Sequence, residues 1–166
     1  RRVRRNRAGG YFDPYEYRDL LTAADAYGQG SFQEFDITGV RVAVEESGRE
    51  ILQYEFDHHV DRPAGQNKAK VVFGLLKRPT KHHGAGIEVV QIINDPSIGL
   101  CSLEEPECAR IITAIDYAER HGLEVDWLTT SSGAGISMTK GTENLDWTAR
   151  VMRRIGEFVR RGGRIN

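Results

Sequence analysis

Two apolar runs of strand length constrain the fold more than any other feature of this sequence. They cover residues 71–76 and 87–93, and neither shows the regular alternation of apolar and polar residues that a half-buried strand requires. Strands without that alternation are typical of sheets that helices cover on both faces. The runs therefore predict two central strands of an α/β fold.

An amphipathic helix is predicted directly after the second run. Ser102 and Glu105 match a capping box, Pro106 is tolerated in a first turn, and Gly122 is a typical helix end. The apolar residues between these ends recur at helical spacing and form one stripe: Cys108, Ile111, Ile112, Ile115 and Ala118. The stripe predicts the side of the helix that faces the core.

The remaining elements complete a layered arrangement. We predict a short helix within residues 11–27, a surface hairpin whose strands flank a turn at 46–49, a third short strand at 125–130, and a second long helix at 144–161. The order strand, strand, helix, strand, helix favours α/β layers joined by crossover connections.

Composition excludes several classes of protein. The chain has 166 residues, 23 Lys and Arg against 24 Asp and Glu, and 39% hydrophobic residues, which suits one compact domain. No apolar stretch approaches the roughly 18 residues of a membrane span, so none is predicted. Cys101 and Cys108 are too few for a disulfide scaffold and lack the Cys-x-x-Cys spacing of a zinc or redox site. A reducing, cytoplasmic compartment is expected.

Two charged or metal-like features lack the context that a binding site needs. Five arginines fall within residues 1–7, but no aromatic residues interleave with them, so we interpret residues 1–10 as a basic linker or interdomain arm and predict no nucleic-acid binding. The pairs His58-His59 and His82-His83 have no carboxylate or cysteine at a supporting helical spacing, so no metal site is predicted.

The glycine turn at residues 131–138 is the feature most typical of a catalytic site. It follows a predicted buried strand, and small residues let the chain bend tightly while its backbone N–H groups point outward. Two such donors near one point stabilise an oxyanion, such as a thioester carbonyl that becomes an enolate. The same turn also occurs for structural reasons alone. The chain lacks Gly-x-Ser-x-Gly and the P-loop pattern, and His121 gives no support for a nucleophilic Ser131 or Ser132.

Six segments of the chain together carry a resemblance to a known family: Pro14-Tyr15-Glu16, Ser31-Phe32-Gln33-Glu34-Phe35, Arg62-Pro63-Ala64-Gly65-Gln66-Asn67 with Ala69 and Val71, Asn94-Asp95-Pro96-Ser97-Ile98-Gly99, Ser132-Gly133-Ala134-Gly135-Ile136, and Gly141-Thr142-Glu143-Asn144-Leu145-Asp146. In this order they resemble the N-terminal half of the carboxyltransferase domain of biotin-dependent acyl-CoA carboxylases, above all the acetyl-CoA carboxylase type. Together they span nearly everything after the arginine run.

The resemblance implies a fold, a ligase or transferase activity and a set of partners. The fold would be the N-terminal subdomain of a crotonase-type (ClpP-like) superhelix of stacked β-β-α units, with residues 11–166 as the N-terminal part of a carboxyltransferase domain. The intact oligomeric parent would transfer a carboxyl group from carboxybiotin on a carrier domain to an acyl-CoA such as acetyl-CoA, as in fatty acid biosynthesis. Its partners would be biotin carboxylase and carrier domains and a C-terminal carboxyltransferase half, supplied by a partner subunit. This chain alone is then expected to be inactive.

The resemblance also implies the site residues. Gly133 and Ala134 would supply the catalytic N–H groups, and Ser132, Gly135, Ile136 and Lys140 would bind substrate. The family usually has arginine where this chain has Gly135, so Lys140 would compensate, or the affinity would differ, or this copy would be impaired.

Two alternatives stay open. The first is a non-catalytic structural or assembly domain of the same fold. The second is a crotonase-like hydratase or decarboxylase, for which Glu143 is the one acidic residue close after the turn.

Overall fold

A computed structural model describes residues 6–44, 48, 50–139 and 141–166. Five strands form one mixed sheet in the order β2-β1-β3-β4-β5: β1 (Ser31–Val44), β2 (Glu50–Asp57), β3 (Val71–Thr80), β4 (His83–Asn94) and β5 (Glu124–Leu128). The helices are α1 (Pro14–Thr22), α2 (Glu105–His121) and α3 (Glu143–Arg160), with a 3-10 turn at Gly99–Cys101. The predicted mixed α/β architecture is confirmed.

The two apolar runs form the central strands β3 and β4, as predicted. Antiparallel partners share a face, and Phe73 pairs with Ile92 in the cluster that packs against α2. The next pair, Val72 and Ile93, is also buried and occupies the opposite face. On the sheet, α1 packs against β1, β3 and β4. Burial on both faces explains why neither run alternates.

A crossover through α2 joins β4 to β5, which run parallel. The predicted stripe of α2 is buried apart from Ile112, which is half-buried, and Gly122 ends the helix with a left-handed φ of 65°. The prediction of Ser102 as the N-cap is wrong. Glu104 is the cap residue, and its N–H donates to the Glu107 carboxylate at 3.2 Å. Ser102 instead closes the preceding 3-10 turn, and its hydroxyl accepts a hydrogen bond from the Lys70 ammonium at 3.0 Å.

The predicted hairpin is the ribbon formed by β1 and β2. Its register shifts between Ile37 and Gly39, so that one extra residue of β1 bulges there. Most of the predicted turn at 46–49 lies outside the described residues. At the other end of the chain, Val125 of β5 receives a hydrogen bond from Asn166 N–H at 2.9 Å, and Ile165 makes a parallel bridge to Val125.

Residues 6–10, assigned to the linker, form a helical turn beside α1, where Arg7 makes an ion pair with Glu16. The first five residues, which hold most of the arginine run, lie outside the described part. Among the helices of the described residues, none combines the length and apolar character needed to cross a membrane.

Candidate functional site

The glycine turn begins just beyond β5, at the carboxyl end of that strand. Ser131, Ser132 and Gly133 are exposed, while Ala134 and Gly135 are half-buried. Gly133 has φ +91°, a backbone conformation that favours glycine, and open space surrounds the position of its missing Cβ. The turn therefore presents its main chain to a molecule that approaches from solvent.

Backbone hydrogen bonds hold the turn against Leu103, which precedes α2. The N–H of Leu103 donates to the Gly133 carbonyl at 2.7 Å, and the N–H of Gly135 donates to the Leu103 carbonyl at 2.9 Å. These two bonds make a parallel bridge between Leu103 and Ala134. The N–H of Ala134 consequently points away from Leu103 and has no hydrogen-bond partner among the described residues. It is available to an acceptor from outside.

The second expected donor, the N–H of Gly133, is engaged within the turn. It donates to the Ser131 hydroxyl at 3.0 Å, and that hydroxyl donates to the Cys101 carbonyl at 2.7 Å. Ser132 N–H donates to the Leu100 carbonyl at 3.0 Å. Of the two donors that the sequence predicted, Gly133 N–H and Ala134 N–H, the turn therefore offers one, the N–H of Ala134.

A strained segment lies against the turn. Gly99, Leu100 and Cys101 have φ values of 53°, 51° and 50°, and consecutive left-handed residues other than glycine are uncommon. Strain of this kind clusters at functional sites, where the surrounding structure holds it. Leu100 and Cys101 supply the carbonyls that hold Ser132 and Ser131. Sequence analysis missed this segment, and Gly99 was its single local signal.

An ion pair between Lys70 and Glu104, which sequence analysis also missed, packs against Gly135 of the turn. A Cβ at Gly135 would meet Glu104 Cγ at 2.9 Å, so the Glu104 side chain fills the space that a larger residue would need. The Glu104 carboxylate pairs with the Lys70 ammonium at 2.6 Å, and that ammonium also donates to the Ser102 carbonyl at 2.8 Å. The side-chain amide of Asn144 donates a hydrogen bond to the Gly135 carbonyl at 2.7 Å. Gly135 thus lies against the Lys70–Glu104 ion pair and is hydrogen-bonded to α3.

The remaining residues predicted for the site are Ile136 and Lys140, and Glu143 is the acidic candidate close after the turn. Ile136 is 52% exposed, and its N–H is bound to the Ala134 carbonyl at 3.0 Å. Lys140 lies outside the described residues. The Glu143 carboxylate accepts the N–H of Gly141 at 3.0 Å at the start of α3.

Neither His121 nor the Cys101 thiol supplies a base or a nucleophile to the turn. His121 sits at the opposite end of β5, where its ring stacks on Tyr117 with centroids 4.0 Å apart. Burial, with the nearby charge of Glu107, raises the pKa of the Cys101 thiol to about 12, so the thiolate does not form at neutral pH. In the described part of the chain, no group of three or more His, Cys, Asp or Glu is arranged to hold a metal.

The turn therefore suits the stabilisation of a developing negative charge by a backbone N–H donor.

Neither a protein-family model nor a curated protein matches this chain.

Proposed function

We propose that this chain is part of the carboxyltransferase of a biotin-dependent acyl-CoA carboxylase, which transfers a carboxyl group from carboxybiotin to the α-carbon of an acyl-CoA such as acetyl-CoA. The observation that carries the proposal is the unpartnered, outward N–H of Ala134 in the turn after β5. Such a donor suits the thioester oxygen of an acyl-CoA, which gains negative charge when the α-carbon loses its proton.

The order of elements supports the crotonase-type part of the proposal. Strands β3 and β4 with helix α2 make one β-β-α unit, and β5 then enters the sheet parallel to β4. Stacked β-β-α units with the reactive turn at a strand end are what the resemblance implies.

The chain's own contribution to the reaction is positioning and charge stabilisation. The bridge between Leu103 and Ala134 fixes the direction of the Ala134 N–H before substrate arrives, so the donor need not reorganise as charge develops. The absent side chain of Gly133 leaves the approach to this donor open. Loss of one such donor typically costs about 10²–10³ in rate.

The residues around the turn do not form an enclosed site for biotin. Ser131, Ser132 and Gly133 are exposed, and the described cavities have no lining residue from the turn. We therefore derive no step through biotin. In the proposed parent, carboxybiotin supplies the carboxyl group, and residues beyond this chain, from the C-terminal carboxyltransferase half of a partner subunit, hold it. The carrier and biotin carboxylase domains are further proposed partners, and a cytoplasmic location remains a prediction.

Calorimetric titration of acetyl-CoA and of a long-chain acyl-CoA into the folded chain tests the proposal. Gly133→Val places a branched side chain over the approach to Ala134. Gly162→Val is the matched control, because Gly162 has a φ of +92° and open space at its Cβ position but follows α3. We expect binding that Gly133→Val abolishes and Gly162→Val retains. Equal affinities in both variants would remove the turn from the site.

The alternatives predict different outcomes. A hydratase or decarboxylase needs a placed carboxylate, and Glu143 is occupied with the N–H of Gly141, so no observation favours that activity. A non-catalytic assembly domain predicts that a folded chain and an intact parent show no dependence on acyl-CoA.

A further inference from the structure

A cleft of about 840 Å³ separates the β1–β2 ribbon from helices α2 and α3. We call it the ribbon cleft. Its volume lies within the range of small-molecule sites, roughly 300–1,000 Å³. None of its lining residues belongs to the glycine turn, and it is a separate feature of the molecule.

One wall of the ribbon cleft is apolar because of the bulge in β1. Val40 lies opposite Tyr54, and Val42 lies opposite Leu52, so these residues share one face of the ribbon. The extra residue of the bulge keeps that face continuous with Ile37 and Phe56, which pack on the core. Val42 nevertheless remains 62% exposed, because the ribbon extends past the helices.

The lining of the ribbon cleft as a whole carries a surplus of positive charge. Six arginines and four carboxylates line the cleft, a net charge of +2: Arg41, Arg120, Arg150, Arg153, Arg154 and Arg161 against Asp116, Glu119, Asp146 and Glu157. Arg154 is paired with Asp116 and Glu119 at 2.6 Å each. Arg41 and Arg153, in contrast, have no ion-pair partner within the described ranges, and Arg120 donates its Nε–H to the Asp116 carbonyl at 3.1 Å. Guanidinium groups in this state suit phosphate, which accepts their paired donors.

Two enclosed donors of the ribbon cleft lack an acceptor. Tyr54 Oη and Arg154 Nη1 are buried without a hydrogen-bond partner among the described residues. Enclosed polar groups in folded proteins almost always have partners. Burial raises the pKa of Tyr54 to about 12, so its phenol keeps its proton and remains a donor at neutral pH. Both atoms lie behind the surface of the cleft, so they mark unsatisfied donors next to its cations and are not themselves contacts for a ligand.

An aromatic platform lies within the same cleft. The Trp147 indole is half-buried, and the Arg150 guanidinium stacks over it at 4.6 Å from the ring centroid. Indole faces and aliphatic side chains bind planar rings, as in base stacking on aromatic residues. Arg150 therefore covers one face of Trp147, and the part of the indole that it leaves open, with Val42 and Leu52, offers apolar contact to a planar base.

We propose that the ribbon cleft binds a nucleoside phosphate, with the base between Trp147 and the apolar ribbon and the phosphates on Arg153, Arg120 and Arg41. The lining residues of the cleft are separate from the glycine turn, so the test below compares ADP binding with the turn variant Gly133→Val.

The test is calorimetric titration of the folded chain with ADP, adenosine and inorganic phosphate. Arg153→Ala removes an unpaired guanidinium, and we expect it to weaken ADP binding about tenfold, as for the loss of a charge-assisted hydrogen bond. Trp147→Leu should weaken the binding of ADP and of adenosine but not that of inorganic phosphate. Arg160→Ala is the matched control, because Arg160 is an exposed arginine of α3 outside the cleft.

Several results would overturn the proposal. They are no saturable ADP binding at millimolar concentration, equal losses in Arg153→Ala and Arg160→Ala, or inorganic phosphate binding as tightly as ADP. Gly133→Val should leave ADP affinity unchanged. Loss of ADP binding in that variant would place the nucleotide at the turn and contradict the ribbon cleft, whereas failure of acyl-CoA binding alone would leave it intact.

Discussion

The Ser131 hydroxyl donates a hydrogen bond to the Cys101 carbonyl at 2.7 Å and so fastens the glycine turn to the left-handed segment before α2. The same hydroxyl accepts the N–H of Gly133 at 3.0 Å. The next donor, Ala134 N–H, has no partner among the described residues. Ser131 therefore occupies one of the two donors that the sequence predicted.

The first prediction concerns amide hydrogen exchange along the turn. Gly135 N–H is bound to the Leu103 carbonyl and should exchange slowly, while the outward Ala134 N–H should exchange much faster. In the Ser131→Ala variant the Gly133 amide loses its acceptor, so its hydrogen exchange should become faster. The exchange rate of the Gly135 amide should stay the same. NMR exchange rates measure each amide. Protection of Ala134 equal to that of Gly135 would contradict the geometry.

The second prediction concerns the contact between Gly135 and Glu104. A Cβ at Gly135 meets Glu104 Cγ at 2.9 Å, so Gly135→Ala should displace the Glu104 side chain and weaken its ion pair with Lys70. Glu104→Ala removes the obstacle. The loss in unfolding free energy for the double variant should then be smaller than the sum of the single losses by about 0.5 kcal/mol or more. Urea unfolding of the four proteins measures it, and strict additivity would refute the contact.

The third prediction concerns the closest approach of two strands. A Cβ at Gly74 of β3 would meet the Gln33 carbonyl oxygen of β1 at 2.1 Å, and this contact is with backbone. Gly74→Ala should therefore lower the unfolding free energy by about 1–3 kcal/mol, as overpacking does. Gly84→Ala in β4 is the control, because nothing lies within 4 Å of its Cβ position. Equal stability of the two variants would show that the strands separate easily.

The fourth prediction is a pH dependence that originates in Asp36. This buried carboxylate bonds to Arg62 at 2.5 Å, to Arg110 at 2.7 Å and to Lys68 at 3.1 Å. Burial by itself raises the pKa of Asp36, but these partners outweigh it and hold the pKa below its ordinary value. As the pH falls, Asp36 therefore becomes protonated in the unfolded chain before it does so in the folded chain. The resulting stabilisation is full above pH of about 4 and is lost as the pH falls through the folded pKa.

Asp36→Asn leaves the buried guanidinium groups without their charge partner and should cost about 3–5 kcal/mol at pH 7. The difference from the natural protein should be smaller at pH 3, because below the ordinary aspartate pKa of about 4 the unfolded natural chain takes up a proton at Asp36 and the folded chain loses relative stability. Urea unfolding at both pH values measures it. Asp19→Asn is the control, since Asp19 is exposed and pairs only at the surface with Arg18. A difference that stays constant with pH would assign the loss to packing.

Local sequence patterns predict the central layer of this fold well. The runs that became β3 and β4 lack alternation because both faces are buried, and the apolar stripe of α2 faces the sheet for the same reason. These signals depend on residues a few positions apart, which is the range that periodicity covers. The position of the α2 N-cap was not resolved, because serine and glutamate both fit a capping box and the contact of Ser102 with Lys70 decided between them.

The candidate site was predicted less completely. The position of the turn and its glycines are local features, but the Lys70–Glu104 pair joins residues far apart in the chain. The left-handed backbone of Leu100 and Cys101 has no side-chain signature, because such residues rarely adopt it. The capture of Gly133 N–H by Ser131 had a signal, since serine often bonds to the backbone two residues on.

The most direct test of the central claim follows the Ala134 amide by NMR while acetyl-CoA is titrated into the chain. We predict that the Ala134 amide proton shifts downfield with saturation, more than any other amide of the turn, because its N–H gains the thioester oxygen as acceptor. Gly162→Val should reproduce the shift and Gly133→Val should abolish it. Saturable acetyl-CoA binding that leaves the Ala134 resonance unmoved would contradict the claim.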